Sequence, residues 1–205
     1  MNLGVLGGTF DPVHNGHLAM ADEVRSRLNL SEVLFVPAGQ PWLKAGSQIT
    51  AAEHRLKMVR LAIADRPYCS VSTMEIERTG ASYTLDTLAE LWSRLGAGDE
   101  LFLIMGWGSL SELPRWKEPE RIINLCRLVA VPRPGYLRPD LELLEKSIPG
   151  ITERVIILEE PQVDISASDI RERIAKGMSI SGLVPEAVEG YIKEEGLYVT
   201  IVGKR

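Results

Sequence analysis

The sequence predicts an α/β fold, a doubly wound parallel sheet with a small C-terminal helical appendage, and two observations carry that prediction. Short apolar, β-branched runs alternate from end to end with longer amphipathic stretches, and crossovers of helical length imply a parallel sheet covered on both faces. Past residue 160 the alternation stops, and two short helical stretches follow with no strand between them.

The strands are predicted at 2–7, 32–37, 69–73, 100–105, 126–131 and 154–158, and the helices between them at 16–28, 51–64, 83–95 and 138–147. In the second helix Leu56, Val59 and Ile63 share one face, and Thr50 with Glu53 has the spacing of a capping box. The prolines at 132–139 mark a loop. In the tail, Ser168 is placed to cap a helix over 169–176, Gly177 to end it, and Pro185 to start a last helix over 186–194. Residues 1–160 are thus expected to form the core, with 161–205 packed on it as part of one structural unit.

A chain of 205 residues and 22.7 kDa has the size of one domain. At 45% hydrophobic and 25% charged, with neutral mean hydropathy, it can bury a full core, which excludes disorder and fibrous repeats. The net charge is −5. Residues 1–66 carry seven basic against six acidic side chains, 67–139 eight against nine, and 140–205 eight against thirteen. With no basic stripe, a nucleic-acid polymer is disfavoured; a small anion held by a few placed cations is not. Cys69 and Cys126 lie in apolar runs without CxxC spacing and read as buried free thiols of a reducing compartment. The start MNLGVLGG lacks a cationic region, and no apolar run approaches the roughly 20 residues of a membrane span. A cytoplasmic protein without a membrane partner is expected.

The strongest motif is Gly7-Gly-Thr-Phe-Asp-Pro-Val-His-Asn-Gly-His17, directly after the first strand and opening the first helix. In a parallel sheet this junction presents free N–H groups and a positive dipole end, which suits phosphate. Gly7 and Gly8 let a ligand approach the backbone, and His14 and His17, three apart, can donate from one side of the turn. An isolated HxxH also suits two surface histidines. As a metal site it lacks a third ligand, because His54 is the one other histidine. The second motif, Ile165-Ser-Ala-Ser-Asp-Ile-Arg171, opens a helix. Ser166 and Ser168 offer hydroxyls, and Arg171 can reach a phosphate at the same sheet edge. Alone, it also fits an ordinary capped helix.

Together these segments resemble the nucleotidyltransferase superfamily marked by an HxGH motif, here His14-Asn-Gly16-His17, with residues 165–171 similar to its I-S-x-T/S-x-I-R signature. Further segments resemble the bacterial nicotinate-nucleotide adenylyltransferases over nearly the whole chain. They are Pro37, Gln40, Pro41 and Lys44 in the second-strand loop, the helix from Arg55, Ser82-Tyr-Thr-Leu-Asp-Thr-Leu88, Leu113-Pro-Arg-Trp116, and the carboxyl-terminal Val184-Pro, Val188, Tyr191 and Gly196-Leu-Tyr198.

The resemblance implies a Rossmann-like nucleotidyltransferase fold and transfer of the adenylyl group of ATP to nicotinate mononucleotide, with Mg²⁺ bound to the ATP phosphates. It implies His14, His17, Lys44 and Arg171 as the catalytic donors. ATP would lie against Gly7, Gly8, Thr9, Phe10, His17, Gly106, Gly108, Ile165, Ser168 and Arg171. Trp116 would stack the nicotinate ring, amides near Thr84 and Lys117 would meet its carboxylate, and Lys44 would face the phosphates. One departure stands out. Family members carry Asp where residues 106–110 read Gly-Trp-Gly-Ser-Leu, so Gly108 removes a carboxylate bond to ribose worth about 1.5–3 kcal/mol. Either water or Ser109 replaces it or the chain is a weakened variant, and restoring Asp at 108 is expected to lower the KM for ATP. Another acceptor, nicotinamide mononucleotide or phosphopantetheine, and a non-catalytic nucleotide sensor stay open as alternatives, as does a homo-oligomer.

Overall fold

The computed structural model describes residues 1–41 and 48–199. In chain order the elements are β1 (Asn2–Gly8), α1 (Asn15–Leu28), β2 (Glu32–Pro37), α2 (Ala52–Ala62), β3 (Cys69–Val71), α3 (Met74–Glu77), α4 (Thr84–Trp92), β4 (Glu100–Gly106) and α5 (Trp107–Ser111). A 3₁₀ turn (Leu113–Arg115), α6 (Pro119–Leu125), β5 (Arg127–Val131), α7 (Leu141–Ser147), α8 (Ile151–Arg154), β6 (Val155–Ile157), α9 (Ala167–Ala175) and α10 (Glu186–Glu194) follow. Each of the six predicted strands has its counterpart. The short helices α3, α5, α6 and α8 are too brief to leave a period in the sequence.

Among the described residues the six strands form one all-parallel sheet in the order β3-β2-β1-β4-β5-β6. Strand alternation divides the core. Leu6, Phe35, Phe102, Ile104 and Val129 face α1, α2, α9 and α10, whereas Val5, Val36, Leu103, Met105 and Leu128 face α4, α6, α7 and α8. The strand order reverses between β1 and β4, which opens a crevice at their carboxyl ends.

The carboxyl-terminal helices share this core. Ile170, Ile180, Val184, Val188 and Ile192 are buried in the same cluster as Leu6, Phe10 and Leu18. Asn15, the first residue of α1, donates its N–H to Leu183 O (2.9 Å) and its side-chain amide to Gly182 O (2.8 Å).

Four local expectations are corrected. The cap of α9 is Ser166, whose extended backbone lets its Oγ accept from the Asp169 N–H (3.0 Å); Ser168 lies within the helix and is exposed. Thr50 and Glu53 form no capping box, since α2 starts after Ala51 with no side-chain cap. Thr50 instead gives its N–H to Asp11 Oδ2 (3.2 Å) and its carbonyl to Arg55 (2.8 Å). Of the face expected for α2, Val59 and Ile63 are buried and Leu56 is only half-buried; the inward face is Arg55, Met58, Val59 and Ala62, with the Arg55 guanidinium inside. Both thiols are free, and Cys126 is buried while Cys69 is only half-buried, on the edge strand β3.

Candidate active site

The crevice at the β1/β4 reversal is a cavity of about 340 Å³. Its walls include Gly7, Gly8 and Thr9 after β1, His14, Gly16 and His17 at the start of α1, Gly106 and Ser109 after β4, Trp116, Arg133, and Val163 and Ile165 before α9. On the side toward β2 it is lined by Pro41, Glu75, Ser82, Thr84 and Thr87.

The two histidine rings stack, with centroids 3.7 Å apart and planes at 30°. Gly16 makes that possible, because a Cβ there would sit 3.0 Å from His14 Nδ1. His14 holds the N-cap position of α1 in extended backbone geometry, and its N–H donates to His17 Nδ1 (3.2 Å). That acceptance leaves the neutral His17 ring with its proton on Nε2. His14 is 7% exposed, and its Nδ1 has no hydrogen-bond partner among the described residues. Burial, and after it the positive charge of Arg133, bring the His14 imidazole down to about 4, so it is neutral at physiological pH.

Beneath this pair lies Phe10, 2% exposed, its ring edge-on to His17 at 4.9 Å and against Phe35 at 5.7 Å. Its φ of 50° turns the chain sharply after Thr9, a strained value for an aromatic residue. Arg171 reaches across from α9 and donates to Asp11 O (2.6 Å), which joins the two predicted motifs. The Asp11 carboxylate is itself 5% exposed and accepts from the Tyr198 hydroxyl (2.7 Å) and the Thr50 N–H. Burial first and then the Asp11 carboxylate push the Tyr198 phenol up, against the hydrogen bond with Thr50.

On the far wall, Thr87 Oγ1 donates to the buried Glu75 carboxylate (2.6 Å), and Ser82 Oγ accepts from the Gly39 and Gln40 N–H groups (3.0 and 3.1 Å). Burial raises the Glu75 carboxyl, against the hydroxyl bonds that favour its ionised form. Trp116 is half-buried, with its indole Nε1 buried and unpartnered among the described residues.

The other expected residues stand as follows. Lys117 is exposed, paired with Asp86 (3.0 Å) and set over the Tyr83 ring at 4.7 Å, and its side chain is not on the cavity wall. Gly108 is not on the wall either. The Tyr136 ring covers it so closely that a Cβ there would lie 2.5 Å from Tyr136 Cε1, so a carboxylate at 108 requires that ring to move. Ser109, in contrast, does line the cavity. Lys44 lies outside the described residues.

The family model described as "Cytidylyltransferase-like" matches residues 5–173. The chain belongs to the cytidylyltransferase-like family. Within it, the chain is 51% identical to a probable nicotinate-nucleotide adenylyltransferase of Dehalococcoides mccartyi (strain CBDB1), over 97% of each chain. It is 48% identical to another from Roseiflexus sp. (strain RS-1), over 96% of this chain and 97% of that one. At that identity and coverage it is a member of their family. The fold is also that of a Plasmodium falciparum nicotinic acid mononucleotide adenylyltransferase complexed with NaAD, with a TM-score of 0.78 at 20% identity over 96% and 97% of the two chains.

In this member of the cytidylyltransferase-like family, Arg55, Asp11, Glu75 and Arg133 went unremarked as site residues in the sequence. Arg55 left a trace, a cation within the otherwise apolar inward stripe of α2. Arg133 left only its place in a proline-rich loop.

Proposed function

We propose that the chain transfers the adenylyl group of ATP to nicotinate mononucleotide, giving nicotinate adenine dinucleotide and pyrophosphate. The observation that carries this reading is the stacked His14/His17 pair, with its N–H donors and the amino end of α1, at one crevice that Trp116 also lines. A 5′-phosphate oxygen of the mononucleotide is ionised at neutral pH and needs no base. It attacks the α-phosphorus of ATP in line, forming one P–O bond as the bond to the departing pyrophosphate breaks. The protein supplies approach geometry and charge cancellation. His17 Nε2–H and neutral His14 donate to the α-phosphate oxygens. Arg171, with Lys44, takes the leaving pyrophosphate. Gly7, Gly8, Thr9, Gly106 and Ile165 frame the nucleotide from the cavity wall, Trp116 stacks the pyridine ring, and amides near Thr84 and Lys117 meet its carboxylate.

Imidazole, guanidinium and amide donors suit phosphate oxygens, and among the described residues no three His, Cys, Asp or Glu side chains converge on a metal position. Mg²⁺ fits as an ion carried by the triphosphate, where it adds further neutralisation of charge. No helix among the described residues is long and apolar enough to cross a membrane. With both cysteines free, a cytoplasmic enzyme acting on small nucleotides is the reading we favour.

Pyrophosphate release tests it, with ATP and Mg²⁺ supplied alongside nicotinate mononucleotide, nicotinamide mononucleotide or phosphopantetheine. Fastest release with the nicotinate acceptor is expected. Preference for another acceptor changes the substrate, and no release with any of them refutes the reaction.

A further inference from the structure

Arg55 is 1% exposed, yet all of its acceptors among the described residues are main-chain carbonyls. Nε donates to Thr50 O (2.8 Å), Nη1 to Thr9 O (2.8 Å) and Ala38 O (2.7 Å), and Nη2 to Gly39 O (3.4 Å). These carbonyls belong to three segments: the turn after β1, the end of β2, and the lead into α2. Thr9 and Ala38 also line the cavity.

A buried guanidinium is costly unless paired, and a carboxylate is its usual partner. Arg55 forms no ion pair among the described residues. Asp11 acts on it only through space, and both Asp11 carboxylate oxygens are occupied, by the Tyr198 hydroxyl and the Thr50 N–H. Burial correspondingly holds the Arg55 guanidinium below its ordinary value. Neutral donors would brace three turns without that cost. The charge stands directly behind the turn that opens the histidine motif.

We propose that Arg55 is a positioning residue for the transfer reaction, a buried cation behind the phosphate cradle whose charge is offset only in part by Asp11 and is met in full by the substrate's own phosphate charge. The proposal rests on the reading that this cavity takes phosphate. The C=O and N–H of a trans peptide point in opposite directions. Holding the Thr9 carbonyl inward therefore turns the Phe10 N–H away from Arg55. Holding those of Ala38 and Gly39 directs the next two N–H groups to Ser82, a residue of the cavity wall. One side chain thereby sets the two turns that flank the reacting phosphates and biases the cavity toward anions, without touching substrate.

The test is calorimetric titration of the intact chain with inorganic pyrophosphate and with adenosine, which carries no phosphate. Wild type is compared with Arg55→Gln, which keeps donors and loses the charge, and Arg55→Lys, which keeps the charge. The expected result is a pyrophosphate affinity lower by about tenfold or more in the Gln variant and largely restored in the Lys variant, the scale of one charge acting across a partly buried site. Adenosine affinity should stay within about twofold throughout, since no phosphate is involved. A merely structural brace would weaken both ligands together, or would lose as much on Arg55→Lys as on Arg55→Gln. Either pattern overturns the proposal, as does unchanged pyrophosphate affinity in the Gln variant or a wild type that does not bind pyrophosphate.

Should the Gln variant fail to fold, the wild-type Arg55 Nε–H resonance decides. It should shift on saturation with pyrophosphate and not with adenosine, and no shift overturns the proposal. Turnover plays no part in these measurements. A wild type that binds pyrophosphate but works with no acceptor refutes the reaction and leaves Arg55 to be judged by its own result.

Discussion

His14 and His17 share one motif and one stacked geometry but face different constraints. His17 has its Nδ1 occupied by the His14 N–H, so its other nitrogen donates. Replacing His17 with Ala is expected to lower kcat by about 10²–10³, the scale of one preorganised donor, with KM for the mononucleotide little changed. Steady-state kinetics check this, and an effect confined to KM counts against the role. His14 is instead a buried neutral group, with its folded value near 4 against 6.5 in the unfolded chain. The unfolded state therefore binds the extra proton first, and stability is lost as pH falls from 6.5 through 4. The loss reaches about 3 kcal/mol over that interval. Urea denaturation at neutral pH and near pH 4.5 should show His14→Gln losing less stability than wild type over that roughly two-unit span. Parallel losses would show that His14 titrates normally.

At the scale of elements, local codes work where the deciding partner is near in sequence. The C-cap of α1 follows from Asn29 in left-handed geometry, φ 49°, with Arg25 and Arg27 in the last turn. The Thr50–Glu53 cap failed because the main-chain groups of Thr50 are claimed by Asp11 and Arg55, and the Ser168 cap because Ser166, two residues earlier, holds that position. The α5 region carries the sharpest revision. A carboxylate at 108, expected from sequence to improve ATP binding, meets the Tyr136 ring of the 132–139 loop. Gly108→Asp alone is thus expected to leave KM for ATP no better. Combined with Tyr136→Ala, which clears the space, it should lower KM about tenfold, the value of one charge-assisted bond. Improvement in the single variant would show that the Tyr136 ring yields freely.

For the molecule as a whole, the chain beyond residue 160 holds the amino end of α1. Gly182 and Leu183 carbonyls accept from Asn15, Arg171 and Tyr198 both hold Asp11, and Val188 and Ile192 complete the core under the sheet. The expected consequence is one cooperative unfolding transition, with Ile192→Ala costing about 2–5 kcal/mol and lowering the single midpoint. Two resolved calorimetric transitions would show that the terminal segment melts apart from the sheet.

The strands, the parallel sheet and the two motifs at residues 7–17 and 165–171 were legible in the sequence because period, β-branching and strand-turn-helix spacing are local properties. The order of the six strands, the rotation of α2 that buries Arg55, the cover of Tyr136 over Gly108 and the loss of the His14 charge were settled by the tertiary fold. Each depends on groups apart in the chain: 46 residues between Arg55 and Thr9, 119 between His14 and Arg133. Hydrophobic periodicity tells which face of an element turns inward, but desolvation and charge at a site are set by what packs across that face from elsewhere. The total charge of −5 illustrates the same division. It disfavoured a nucleic-acid polymer, while Arg133 on the crevice wall and Arg55 behind the turn after β1 act through placement that no count of residues contains.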